Sequence, residues 1–387
     1  MRKISATQVF NGYEFYNQSM VVVTDDNGKI MTIEKADNFS PNEIEFYDGI
    51  LCPGFINAHC HLELSYMKAK IEEGKGLVQF IMDLLTIRNE RMEIVLHEIE
   101  KADNEMWQNG INAVGDISND DHTLLQKTKS KIRYHTFVES FGFLPAKASE
   151  YFDKALKVFN QAIQAGLKAT ITPHAPYSVP PELFKLIFAV KKNEPALFSM
   201  HNQETKAETD YFKNGEGDFK KLIEGYFKIK EQVFVASGKS SLETVLEYFP
   251  ANQNILLVHN TETNASDIQY ANRYSNHIYW CTCPNANLYI ENKLPDYKLF
   301  GNEKVLIGTD SLASNHQLSI LDEMKIIQQH AEVPTAQLLK WATSNGAAFF
   351  NWNDLGSFKM NQSPGLILVE NIGDQLNLAN ATIRRLL

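Results

Sequence analysis

Two histidines separated by one residue are the first sign of chemistry in this sequence. His59 and His61 lie in LCPGFINAHCHLELSY, an apolar run that contains Pro53 and Gly54. Side chains at positions i and i+2 of a strand share a face, so both imidazoles can reach one metal ion. A strand with two histidines and no metal has the same pattern, so the interpretation depends on further ligands downstream.

Further candidate ligands come directly after later apolar runs; they are His174, His201, His259 and Asp310. Each one alone is more simply explained by a structural role, but their recurrence after several runs indicates a metal centre. The predicted ligand set is His59, His61, His201 and Asp310. Three imidazoles with one carboxylate suit zinc or ferrous iron, and suit calcium or magnesium poorly. A water bound to such an ion has its pKa lowered towards neutrality, and Asp310 is placed to accept the water's proton.

Two side chains near these ligands are candidates for moving protons. Glu204 follows His201 by three residues, so it can begin the next helix while its carboxylate points back towards the metal. His259 is not needed to complete a set of four ligands, which leaves it free to polarise the oxygen or nitrogen on the reacting carbon. Glu208 lies one helical turn further on, and we expect it to be a solvated residue on the helix face.

The segments that must position these residues alternate between strand and helix. Eight apolar runs have the character of strands and end near His59, Asp116, Glu139, His174, His201, His259, Cys283 and Asp310. Helical patterns separate them, with the clearest at residues 76–109, 150–164, 181–192, 265–274, 319–330 and 335–350. This alternation predicts an α/β chain folded as a (β/α)8 TIM barrel, in which catalytic residues lie at the C-terminal strand ends. A doubly wound sheet is the rival fold, but no glycine-rich phosphate-binding turn follows the first strand.

Both ends of the chain have short extended segments instead of helices. Residues 1–50 contain three such segments, and Asp26, Asn27 and Gly28 form a hairpin turn between the last two. After Phe350 the chain returns to extended pieces. We therefore expect a small β-sandwich domain built from residues 1–50 and 355–387, and a catalytic barrel of residues 51–354.

Composition restricts the partners. The formal net charge of −10 argues against nucleic acid or an anionic membrane as a main partner, and its simplest meaning is solubility. The start of the chain has no long apolar segment, and we expect neither a signal peptide nor a membrane span. Four scattered cysteines are typical of buried free thiols in a reducing compartment. The expected location is cytoplasmic.

Six stretches of sequence carry a resemblance to a known family. They are PGFINAHCHLELS, TPHAPYSV, HNQE, VHN, CPNAN and GTDSLASN. In this order and spacing they resemble the amidohydrolase superfamily, in its branch of cytosine deaminases, guanine deaminases and chlorohydrolases. The stretch from HCHLELS to Arg88 is most similar to aminodeoxyfutalosine deaminases and adenosine-type deaminases. The resemblance extends over essentially the whole chain.

This resemblance implies a role for each matched residue. One divalent metal ion, with zinc ahead of iron, is bound by His59, His61, His201 and Asp310. Glu204 is the proton shuttle, His259 orients the attacking oxygen and the leaving nitrogen, and His174 contacts the substrate. Members with two metals have a carbamylated lysine where this chain has His174, so one metal is expected. A homodimer is also common among similar proteins.

Substrate contacts are harder to assign. Besides His174, the candidates are Glu63, Ser311 and Asn287; for Asn287, the usual preceding serine is replaced by Ala286. Other side chains have two competing explanations each. Glu139 and Phe141 either line the pocket or have a structural role. Arg88 and Arg133 either bind a carboxylate of the substrate or form surface ion pairs.

The predicted reaction is hydrolytic deamination of an amino-substituted N-heterocycle of the purine nucleoside type, such as aminodeoxyfutalosine or an adenosine derivative, with release of ammonia. A chlorohydrolase and a cyclic amide hydrolase would share the metal ligands, although the pairing of Glu204 with His259 favours deamination. A non-catalytic binding protein on the same barrel would have lost at least one of the six central positions, and all six are present.

Overall fold

The computed structural model describes residues 1–190, 196–230, 233–301 and 303–387. Its strands, in chain order, are β1 (Arg2–Val9), β2 (Met20–Thr24), β3 (Ile30–Lys35), β4 (Glu45–Pro53), β5 (Phe55–Cys60), β6 (Ile111–Ser118), β7 (Arg133–Ser140), β8 (Lys168–Pro173), β9 (Leu197–Asn202), β10 (Asn254–His259), β11 (Ile278–Thr282), β12 (Val305–Ile307), β13 (Leu366–Glu370) and β14 (Thr382–Arg385). They form one six-stranded sheet and two four-stranded sheets.

Eight parallel strands form the scaffold of the site. One four-stranded sheet has the order β5-β6-β7-β8, and the other has the order β12-β11-β10-β9. At one seam the His201 N–H donates to the His174 carbonyl at 2.9 Å, and at the other the Asp310 N–H donates to the His59 carbonyl at 3.0 Å. The sheets are thus joined at both edges as a (β/α)8 barrel. Strands such as β9 and β11 are buried along their whole length, as parallel barrel strands must be.

Helices follow the strands around the barrel. They are α1 (Leu77–Ile87), α2 (Met92–Gln108), α3 (Leu124–Lys129), α4 (Ala148–Gln164), α5 (Pro181–Ala189), α6 (Lys206–Asn214), α7 (Asp218–Lys221), α8 (Ser241–Val245), α9 (Ala265–Tyr274), α10 (Pro284–Glu291), α11 (Ile320–His330), α12 (Thr335–Ala342) and α13 (Ser344–Phe350). The predicted helix 181–192 ends at Ala189, and residues 191–195 lie outside the described part.

The helical pattern over residues 76–109 forms two helices, α1 and α2, instead of one. At the break between them, the Tyr66 hydroxyl donates to the Arg88 carbonyl at 3.0 Å. Arg88 directly follows α1 and lines the cavity described below.

The chain termini build the six-stranded sheet, in the order β14-β13-β4-β1-β2-β3. One cluster of buried side chains holds its strands together; it includes Ile4, Val22, Leu51, Leu366 and Leu368. Strand β4 spans residue 50 and pairs with β13 through Ile50–Val369 and Pro53–Leu366. The residues just before the barrel therefore belong to this sheet.

Two expectations from composition can be compared with the structure. All four cysteines are buried and free, as expected. Within the described residues, no helix combines the length and the apolar character that a membrane crossing requires.

Candidate metal centre and active site

Four of the predicted ligands converge at the mouth of the barrel. His59 Nε2 lies 3.1 Å from His61 Nε2, which in turn lies 3.3 Å from His201 Nε2. Asp310 Oδ1 is 3.5 Å from His59 Nε2 and 3.4 Å from His61 Nε2. All four side chains are buried, with at most 8% exposed. The two barrel seams therefore bring residues more than 100 positions apart into one cluster.

The hydrogen-bonding capacity of these side chains fits a metal ion. Burial lowers the pKa of His61 to about 3 and that of His201 well below its usual value, so both rings are neutral at pH 7. His201 Nδ1 donates to the His174 carbonyl at 2.9 Å, which leaves a lone pair on its Nε2. Because His61 Nε2 faces two imidazole nitrogens, it cannot satisfy both by donating one proton. A cation among these lone pairs and the Asp310 carboxylate resolves the arrangement.

Three strand ends have left-handed backbone at the residues that point into the site. The φ angles are 57° at Asp310, 78° at His259 and 46° at Gln203, the residue before Glu204. Such a conformation costs a residue other than glycine about 1–3 kcal/mol and persists only where neighbouring contacts impose it. For Asp310, that support comes from Asn57 and Thr309, which exchange two hydrogen bonds at 2.7 and 3.1 Å.

Glu204 and His259 form a pair beside the cluster. Glu204 Oε1 lies 3.6 Å from His259 Nε2. Burial raises the pKa of Glu204 well above its usual value, with a further contribution from Asp310. Burial lowers the pKa of His259 to about 4, and its Nδ1–H donates to Asn287 Oδ1 at 2.7 Å. The lone pair on His259 Nε2 therefore faces the Glu204 carboxyl group.

The pKa of Asp310 is shifted in the opposite direction. Burial raises the pKa of this carboxyl, but its contacts with His59, His61 and His259 outweigh burial and hold the pKa well below the usual range. The Ser314 hydroxyl donates to Asp310 Oδ2 at 2.6 Å. The pKa values of Asp310 and Glu204 are thus shifted in opposite directions.

A polar wall extends from the cluster towards solvent. Glu63 accepts from the Asn119 backbone N–H at 2.8 Å and from Asn119 Nδ2 at 2.9 Å, and Arg88 lies 3.6 Å away. Asn119 Nδ2 also reaches Glu139 Oε2 at 3.2 Å, and Glu139 Oε1 is 3.3 Å from His201 Nδ1. Burial, followed by Asp120, raises the pKa of Glu63 to about 7. Sequence reasoning missed Asn119, since a lone asparagine after a strand is indistinguishable from a turn residue.

A cavity of about 570 Å³ connects these groups to the surface. His61, His201 and Asp310 of the metal cluster line it with Glu204 and His259. The predicted contacts Glu63, His174 and Ser311 also line it, together with Arg88, Glu139 and Phe141. Its outer wall is apolar and includes Leu77, Phe80, Ile81, Leu84, Phe143 and Phe227. The cavity can therefore hold a molecule with a polar reacting end and a less polar remainder.

Asn287 and Glu208 have surroundings that differ from expectation, whereas Arg133 forms the surface ion pair that was one of its two predicted explanations. Asn287 is buried behind His259 and is not among the cavity-lining residues. Glu208 is 1% exposed, so the prediction of a solvated residue is wrong. Burial raises the pKa of Glu208 to about 7, opposed by the Ser241 hydroxyl and by the backbone N–H groups of residues 203 and 204. Arg133 pairs with Asp354 through two contacts of 2.7 Å and does not line the cavity.

The profile of the Amidohydrolase family matches residues 50–384, which include the barrel and its metal cluster. The chain belongs to the amidohydrolase family. Hydrolases of this family are metal-dependent, and the three histidines and one aspartate of the cluster lie close enough together to hold a metal ion.

Individual relatives agree with this assignment. The chain is 28% identical over 302 residues to an aminodeoxyfutalosine deaminase of a Nitratiruptor species, covering 76% of this chain and 72% of that protein. A structure of Helicobacter pylori aminofutalosine deaminase in complex with methylthio-coformycin superposes with a TM-score of 0.84 at 24% identity, covering 99% and 97% of the two chains. An adenosine deaminase from Xanthomonas campestris with bound zinc has a TM-score of 0.74 at 20% identity, covering 98% and 89%. This amidohydrolase therefore shares its overall fold with both structures.

Proposed function

We propose that this amidohydrolase deaminates an amino-substituted purine nucleoside by hydrolysis and releases ammonia. The observation that carries the proposal is the pairing of Glu204 with His259, whose Oε1 and Nε2 atoms lie 3.6 Å apart beside the metal cluster in one cavity. Deamination needs a proton donor for a ring nitrogen and an acceptor for the protons of water, and Glu204, His259 and Asp310 can share these roles. The aminodeoxyfutalosine deaminase similarity supports the same reaction.

The metal ion proposed for the cluster is zinc. Three imidazoles with one carboxylate are a donor set that zinc favours, and the similar adenosine deaminase from Xanthomonas campestris has zinc bound. When bound by His59, His61, His201 and Asp310, the ion would supply a Lewis acid that makes water a nucleophile at neutral pH.

Three side chains, Glu204, His259 and Asp310, move or hold the protons during the reaction. Glu204 donates its proton to the ring nitrogen next to the amino-bearing carbon while the oxygen of water adds to that carbon. His259 Nε2 accepts a hydrogen bond from the adding oxygen, and Asn287 holds the ring in the tautomer that allows this. Asp310 accepts a proton from the oxygen and passes it to the amino nitrogen. The carbon–nitrogen bond then breaks and ammonia leaves, the remaining proton on the added oxygen returns to the Glu204 carboxylate, and the ring carries a carbonyl in place of the amino group.

The cavity accommodates a nucleoside better than a free base. Its floor can take the heterocycle, and the polar wall of Glu63, Asn119 and Glu139 offers acceptors and donors for sugar hydroxyls. The apolar outer wall provides a surface for an apolar substituent on the sugar. Arg88 lies at the edge of this wall, 3.6 Å from Glu63, where it can contact a carboxylate of the substrate.

The test is an ammonia-release screen with zinc-loaded protein. Substrates should include adenosine, 5′-substituted adenosines, aminodeoxyfutalosine, guanine, cytosine and a chlorinated triazine. We expect ammonia from aminopurine nucleosides and no halide from the triazine. Halide release without ammonia release would replace the proposal with a chlorohydrolase activity.

A further inference from the structure

Glu208 is a buried carboxylate for which the reaction above has no direct use. It lies in the first turn of α6, and it is 1% exposed. Its Oε1 accepts the backbone N–H of Gln203 at 3.1 Å, and its Oε2 accepts the backbone N–H of Glu204 at 3.3 Å. Both oxygens of one side chain thus bind the two residues that carry the proton donor into the cavity.

The same turn is also held from its carbonyl side. The Thr261 hydroxyl donates to the carbonyls of Gln203 and Glu204, and the Glu262 N–H donates to the Gln203 carbonyl at 2.9 Å. Gln203 itself has a left-handed backbone, with φ of 46°. Because glutamine rarely adopts this conformation alone, these contacts must impose it. The direction of the Glu204 side chain depends on the φ and ψ angles of this turn.

We propose that Glu208 is a positioning residue for Glu204, and that its two backbone contacts aim the Glu204 carboxyl at His259 and the substrate. The inference rests on the proposed role of Glu204 in deamination. A carboxylate that only filled space here could be replaced by the isosteric glutamine without loss. A carboxylate that fixes two N–H groups could not, because an amide offers one acceptor oxygen and turns a donor group towards the second N–H.

A double-mutant cycle tests the inference. The variants are Glu208→Gln, Glu204→Gln and the double variant, with kcat and KM for ammonia release measured for each. We expect Glu208→Gln to lower kcat roughly 10- to 100-fold, since small misplacements of a catalytic group have effects of this order, while KM changes less than about threefold. In the Glu204→Gln background, Glu208→Gln should change kcat less than about twofold, because the group being positioned is gone.

Asp210 provides a matched control on the same helix. It is an acidic residue paired with Lys206 at the surface, at 2.6 Å. Asp210→Asn should keep the kcat of the wild type. The inference is wrong if the losses in kcat of the two single variants multiply in the double variant. It is also wrong if Glu208→Gln has the kcat of the wild type.

Two further measurements keep the test decisive. A crystal structure of Glu208→Gln should show the Glu204 carboxyl displaced from its position 3.6 Å from His259 Nε2, and an unchanged position would overturn the inference even if no substrate were found. If that variant does not fold, Thr261→Val replaces it in the cycle, because it removes the donor on the opposite side of the turn. Absence of ammonia release by the wild type from every nucleoside contradicts the proposed function instead.

Discussion

The pKa values of two carboxyl groups that line the cavity are shifted in opposite directions because their surroundings differ. Glu204 is buried next to the negative Asp310, and both effects raise its pKa. Asp310 is equally buried but faces three imidazoles, which favour its ionised form. One acid and one base can therefore coexist at the same pH, as hydrolytic chemistry on a ring nitrogen requires.

The first prediction concerns the proton on Glu204. Glu204→Gln should lower kcat by about 10²- to 10⁴-fold, the usual range for loss of a general acid, without changing the metal content. In the wild type, kcat should fall as pH rises through the raised pKa of Glu204, because only the protonated form donates; this limb should be absent from the variant. Ammonia release and elemental analysis are the measurements. Exposed Glu216, paired with Lys220, offers the control Glu216→Gln, and near-normal turnover by Glu204→Gln would contradict the assignment.

The second prediction concerns Asn287, which holds His259 in one tautomer through a hydrogen bond of 2.7 Å. Asn287→Leu removes the acceptor for Nδ1–H, so the ring can rotate or move its proton to Nε2. We expect kcat to fall about 10- to 100-fold, similar to other losses of a histidine's orienting partner, with zinc still bound. Asn272→Leu at the surface is the control. If both variants turn over at the same rate, the tautomer is not held by Asn287.

At this scale the sequence predicts residue types well and their partners poorly. His59, His61, His201 and Asp310 each follow a recognisable strand, so their convergence could be expected from the barrel alone. The roles of Glu208 and Asn287 could not, because each depends on a contact that sequence spacing does not reveal. Glu208 has the spacing of an exposed helix face, yet the Gln203 turn folds back over it.

At the scale of elements, a buried ion pair supports the strand that carries the paired histidines. Lys127 Nζ of α3 is 2.6 Å from Asp116 Oδ2 of β6, and both side chains are fully buried. Asp116 Oδ1 also accepts the backbone N–H of Leu62, the residue directly after His61, at 2.8 Å. The pair thus connects a helix and two strands beneath the metal cluster.

The third prediction follows from the cost of leaving one buried charge without its partner. Lys127→Met should reduce the free energy of unfolding by about 3–5 kcal/mol, whereas the double variant with Asp116→Asn should recover most of that loss, because neither charge remains. Unfolding in urea measures both. The exposed pair of Arg133 and Asp354 is the control, and Asp354→Asn should cost less than about 1 kcal/mol. If Lys127→Met is as stable as Asp354→Asn, the ion pair of Lys127 and Asp116 contributes little to the free energy of unfolding.

Strand and helix alternation was enough to predict the barrel elements, because eight apolar runs with helices between them have few other arrangements. The predicted helix 265–274 agrees with α9. Breaks inside helical patterns were not predicted, since the hydrogen bond from Tyr66 to the Arg88 carbonyl joins distant parts of the chain. The division into domains at residues 50 and 355 stays a prediction, and β4 continues across the first of these positions.

At the scale of the whole molecule, a half-buried arginine attaches the terminal sheet to the barrel. Arg385 of β14 donates to the carbonyls of Trp107 and Ile111 and to the Asn112 side chain, and it stacks on the Trp107 ring at 3.5 Å. Burial lowers the pKa of Arg385 to about 10. The C-terminal strand therefore contacts the barrel beside the first turn after α2, and both ends of the chain are coupled to the catalytic half.

The fourth prediction concerns the metal as a connection across the entire barrel. Its proposed ligands lie on β5, on β9 and just after β12, so a bound ion joins the two four-stranded sheets next to the seam at Asp310. An ion that binds only the folded chain raises the free energy of unfolding by about 2.7 kcal/mol when its free concentration is 100 times Kd. Chelation should therefore lower the thermal midpoint and abolish ammonia release, and added zinc should restore both. Asp310→Ala is the informative comparison, because this variant should unfold at one temperature with or without zinc. If chelation leaves the thermal midpoint of the wild type unchanged, the four side chains do not bind an ion that stabilises the fold.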